Sequence, residues 1–105
     1  MLTTIPQNTA ILIGHKFRYD CRTDGKNINL QWYYRSHQSK DLQRVYTGYN
    51  VTQAFVEKLV ITNYVDGQML TSSSDNTSDA GTYICEEPET LHISAAELVI
   101  LRKCS

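Results

Sequence analysis

The spacing of apolar residues constrains this chain more than any other feature. No stretch carries a helical apolar stripe for three turns, whereas short alternating runs recur between polar breaks. That is the form of an all-β domain, in which each strand buries one face and wets the other. Phe17, Tyr19 and Cys21 alternate with Lys16, Arg18 and Asp20, and Leu30, Trp32 and Tyr34 alternate with Gln31, Tyr33 and Arg35. Further strands are expected over 42–46, 58–62, 68–72, 81–85 and 95–101. Asp24-Gly25, 48–52 and Asp66-Gly67 read as turns, the last as a hairpin signal, and 86–91 with Pro88 as a hairpin loop. The polar run 73–78 must cross between sheets.

A chain of 105 residues suits one compact domain, which buries about two-thirds of its unfolded surface. With 41% apolar and 20% charged residues it is too apolar to stay disordered. Ten Lys and Arg against eleven Asp and Glu give a net charge of -1, so no field favours nucleic acid or an anionic membrane. The longest apolar stretches, such as 10–13 and 98–101, fall far short of the roughly 20 residues that span a bilayer. No charged-then-apolar leader opens the sequence, which leaves the compartment to be judged from the cysteines.

Cys21, Cys85 and Cys104 lack the spacing of a zinc or redox site and read as a distant structural pair with one left over. His15, His37 and His92 lie in separate segments, with no nucleophile elbow, metalloprotease helix or reactive-cysteine context. Five glycines leave little from which to build a phosphate-cradling loop. Neither catalysis nor a metal nor a cofactor is expected.

A Cys ending an early strand, a Trp in the middle of the next, and Asp79-Ala-Gly-Thr-Tyr-Ile-Cys85 together resemble the immunoglobulin superfamily, over nearly the whole chain. The resemblance implies a β-sandwich of two antiparallel sheets bridged by Cys21 and Cys85, with Trp32 packed on the bridge. Gly81 belongs to the same signature. Tyr83 matches the tyrosine corner, whose hydroxyl bonds the backbone just upstream. Asp79 resembles the family carboxylate that pairs with a base, for which Lys58 is the best candidate. The long interval between the cysteines leaves room for the strands that the family letters C′ and C″. That implies a V-type domain over 1–105, with an intermediate type lacking C″ as the alternative, cut from a longer extracellular chain. Where the family has an inward Ile and Val before the Asp-x-Gly motif, this chain has Ser72 and Asp75, so local irregularity is expected there.

An inter-sheet disulfide implies a secreted or cell-surface location. Asn50-Val-Thr52 and Asn76-Thr-Ser78 agree with it as candidate N-glycosylation sites in predicted turns. Cys104 either bridges a neighbouring domain, joins two chains or stays free, with the first two favoured together.

V-type relatives recognise proteins through the face of strands G, F, C and C′ or through the loops at one end. The expected role is therefore a recognition domain of a cell-surface receptor or adhesion molecule, binding a protein ligand or a second copy of itself, as in a homodimer. Tyr33, Arg35, Tyr46 and Tyr49 are the expected outward residues, and Glu86, Glu87 and Glu89 form an acidic loop that would steer a basic partner. The alternative is a secreted immune or pattern-recognition protein that binds microbial carbohydrate or toxin. Sialic-acid-binding relatives carry an Arg where this chain has Glu86, which disfavours that chemistry. The run 94–101 also lacks the glycine-rich bulge of antigen-receptor domains, which disfavours antibody-like pairing.

Overall fold

A computed structural model describes residues 2–12, 15–25, 30–37, 39, 41–72, 80–88 and 92–101. Its strands are β1 (Leu2–Thr4), β2 (Thr9–Leu12), β3 (Arg18–Thr23), β4 (Gln31–Ser36), β5 (Gln43–Tyr46), β6 (Leu59–Tyr64), β7 (Gly67–Ser72), β8 (Gly81–Glu87) and β9 (His92–Leu101). One sheet has the order β1-β3-β7-β6 and the other β2-β9-β8-β4-β5. The disulfide between Cys21 on β3 and Cys85 on β8 spans 6.5 Å between Cα atoms and joins the two layers. The result is an immunoglobulin-like β-sandwich. No helix of the described residues is long and apolar enough to cross a membrane.

Two features depart from expectation. The five-stranded sheet is mixed, because β2 runs parallel to β9. Pro6, which has no amide hydrogen to give a ladder, lies where the chain leaves one sheet for the other, so the first segment splits into β1 on β3 and β2 on β9. The second departure follows β5. That strand takes the place of C′, but the chain then turns through 53–58, and among the described residues there is no C″ strand. Instead a Tyr46–Val51 bridge folds the turn back on β5. The Thr52 amide donates to the Val45 carbonyl at 2.9 Å and the Thr52 hydroxyl to the Arg44 carbonyl at 2.7 Å.

The core lies where the alternation places it. Trp32 is fully buried and sits in register with Cys85. Phe17, Tyr19, Tyr34 and Tyr83 form a chain of rings with centroids 5.0–5.8 Å apart, a spacing that suits tilted aromatic contacts. The upstream backbone that a tyrosine corner engages, 73–79, is outside the described residues.

Ser72 does not disturb its strand, contrary to the expected irregularity: β7 pairs regularly with β3 and β6. The Ser72 hydroxyl accepts the buried Phe17 amide at 2.9 Å, and the Ser72 amide donates to the Phe17 carbonyl at 3.1 Å. A polar side chain is retained because it satisfies a backbone group that the sheet leaves unpaired. Asp75 is outside the described residues.

Gly67 also differs from its expected role. The hairpin loop is Val65–Asp66, and Gly67 opens β7 between Arg22 and Tyr64. A Cβ there would lie 2.1 Å from the Cys21 carbonyl oxygen, so close approach selects the glycine. Across the space it leaves, the Arg22 guanidinium sits 4.3 Å from the Tyr64 ring centroid and bonds Asp66 Oδ1 at 3.0 Å.

Candidate functional site

Outward residues of the five-stranded sheet form rows across its strands. The central row runs Arg44, Tyr33, Ile84, Ala95 from β5 to β9. On one side lie Gln31, Glu86 and Ile93, and on the other Arg35, Thr82 and Glu97. Ile93 is 59% exposed, Ala95 is exposed, and Tyr33 and Ile84 are half-buried. Ile84, Ala95 and Ile93 thus form an apolar strip with polar residues beside it, and exposed Val99 and Leu101 continue β9 beyond Glu97.

Hydrogen bonds fix the polar margins. The Tyr33 hydroxyl bonds Gln31 Oε1 at 2.7 Å, has Glu86 Oε1 at 3.2 Å as a second acceptor, and accepts from Arg44 Nη2 at 3.2 Å. The Arg44 guanidinium also leans over the Tyr33 ring, 5.4 Å from its centroid. At the opposite margin, Glu97 accepts the Thr82 hydroxyl at 2.7 Å and meets His37 Nε2 at 2.7 Å. The Glu97 amide donates to Asn8 Oδ1 at 2.9 Å and its carbonyl accepts from the Tyr19 hydroxyl at 3.1 Å. The Thr82 hydroxyl first, and His37 after it, hold the Glu97 carboxyl below the usual carboxylate range.

No protein-family model matches the chain, and no curated protein sequence matches it. Among the described residues, no group of three or more His, Cys, Asp or Glu side chains could hold a metal ion.

Tyr33 and Arg35 point outward from β4, and Tyr49 is 77% exposed in the turn after β5. Asn50 is exposed in the same turn, and Lys58 is half-buried just before β6. Asp79, Asn76, Glu89 and Cys104 are outside the described residues.

Two expectations are corrected. Tyr46 is not on the face: it is 4% exposed, in the core, with its hydroxyl on Asn63 Oδ1 at 3.3 Å. The register between β4 and β5 shifts between Trp32 and Tyr33, so Tyr46 pairs with inward Trp32 while Arg44 pairs with outward Tyr33. Such a bulge buries the consecutive residues Val45 and Tyr46 together. Strict alternation along 42–46 puts Arg44 and Tyr46 on one side; the bulge leaves Arg44 outward beside Tyr33 and turns only Tyr46 inward.

Glu87 is the second correction, being 1% exposed with its carboxylate accepting a hydrogen bond from the buried Thr23 hydroxyl. Strand β8 continues two residues past Cys85, so alternation turns Glu87 inward. One of the three acidic side chains therefore lies in the interior.

Proposed function

We propose that this chain is an extracellular recognition domain of the immunoglobulin superfamily, of V-type, whose outward β5-β4-β8-β9 face binds a protein. It would serve a cell-surface receptor or adhesion molecule, and its partner is a protein on another cell or a copy of itself. The observation that carries this reading is the open apolar centre of Ile84, Ala95 and Ile93 beside a hydrogen-bonded Tyr33. Protein interfaces combine an apolar centre with a polar rim, and aromatic and Arg side chains supply most of their affinity. A Tyr already held by three neighbours loses little freedom on binding, which favours affinity. The buried disulfide supports an oxidising compartment, outside the cell or on the way there.

The test is a multivalent form of the chain screened against arrayed secreted and surface ectodomains, this chain included. Each hit is retested with Ala95→Arg, which charges the centre of the face, and with Val60→Arg, which charges the outer side of the other sheet. Binding should fall at least 100-fold in the first variant and persist in the second. The reverse pattern, with both variants folded, would place recognition on the β1-β3-β7-β6 sheet and overturn the reading.

A further inference from the structure

The charges on this face are divided between its two halves. Arg44 and Arg35 both project from the β5-β4 half, as diagonal neighbours, since Arg44 pairs with Tyr33 and Arg35 lies two residues beyond it on the same side. Such neighbours sit about 7–8 Å apart. Neither meets a carboxylate within ion-pair distance among the described residues. The two nearby acids are already engaged. Glu86 reaches Arg44 only through the Tyr33 hydroxyl, and both oxygens of Glu97 are occupied, one by Thr82 and one by His37. Two exposed guanidinium groups thus lie beside the apolar side chains of Ile84, Ala95 and Ile93, in a half whose own carboxylates, Glu86 and Glu97, flank that strip, with Glu97 near enough to feel the Arg35 charge.

From this division we propose that the partner presents a carboxylate side chain to Arg35 and Arg44 and, next to it, a large apolar side chain to Ile84, Ala95 and Ile93. The proposal rests on the reading of the face as a protein-binding surface and names the chemistry of what it binds. It reverses the basic partner expected from the acidic loop, because Glu87 is buried and Glu86 is tied to Tyr33. Guanidinium groups match carboxylates through paired, charge-assisted hydrogen bonds. A sulfated or carboxylated glycan carries the same anionic chemistry but suits this face less well. It would leave the apolar strip without a partner.

The test uses a random dodecapeptide display library as the probe. It is selected on the immobilised full chain and then measured on Arg35→Gln/Arg44→Gln, which keeps long polar side chains but removes both charges. Selected peptides should be enriched in Asp or Glu beside Leu, Ile, Phe or Trp, should bind the double variant at least tenfold more weakly, and should be displaced by Ala95→Arg. Melting curves confirm that each variant is folded. Peptides that need Ala95 but bind the double variant equally well overturn the carboxylate proposal and leave the face reading standing. A heparin oligosaccharide that binds through the two arginines and survives Ala95→Arg, while no acidic peptide is selected, also overturns it in favour of a glycan. Binders indifferent to all three positions overturn the face reading and the proposal together.

Discussion

Replacing Ser72 by Ala removes one oxygen from the interior and tests whether that oxygen belongs there. Ser72 is 4% exposed, and its hydroxyl is the acceptor for the Phe17 amide at 2.9 Å where the chain enters β3. Alanine leaves that buried donor unpaired, which costs about 1–3 kcal/mol. For a chain of this size each kcal/mol lowers the melting temperature by about 4–8 °C. Ser72→Val probes the opposing effect, since each buried methylene contributes about 0.8 kcal/mol. The apolar gain offsets part of the loss without reversing it. Equilibrium urea unfolding under oxidising conditions measures both variants against the parent chain. A Ser72→Ala variant within about 0.5 kcal/mol of the parent, below the cost of an orphaned donor, would refute the reasoning. So would a Ser72→Val variant more stable than the parent.

Gly81→Ala would set a Cβ 2.4 Å from the Arg35 carbonyl oxygen and 2.8 Å from the Tyr34 ring; overpacking of this kind costs about 1–3 kcal/mol, read from thermal melting. Reducing the Cys21–Cys85 bridge opens a loop of 64 positions, and the chain-entropy account gives a loss of about 4 kcal/mol, read from urea unfolding with reductant present against the oxidised chain. The depressed Glu97 carboxyl contributes stability at neutral pH that is lost as pH falls through its folded value. Carbon-detected NMR titration should therefore find its midpoint below that of a free Glu, and Thr82→Val should raise the midpoint more than His37→Gln does, because the hydroxyl is the larger influence.

The interior was legible in the sequence because alternation and the Cys, Trp and Tyr positions are local signals. Phe17, Tyr19, Cys21, Trp32, Tyr34, Tyr83 and Cys85 are all buried. The outward face of the five-stranded sheet was legible only in part. Tyr33, Arg35 and Arg44 follow simple alternation, whereas Tyr46 is turned inward by a bulge that depends on the partner strand. Glu87 depends on how far β8 extends, which Pro88 and three acids in four residues disguise as a loop. Strands β1 and β2 are short edges whose partners lie far along the chain, so neither carries a periodic signal of its own. Pairwise long-range contacts of that kind leave no trace in composition.

The turn that doubles back after β5 has a consequence for crowded surroundings. By occupying the carbonyls of Arg44 and Val45, Thr52 withdraws the outer hydrogen-bonding positions of that margin from any strand that approaches from outside. Open sheet margins are templates along which neighbouring molecules zip together. With two acceptors there already taken by its own chain, molecules packed side by side find less of a ladder to extend.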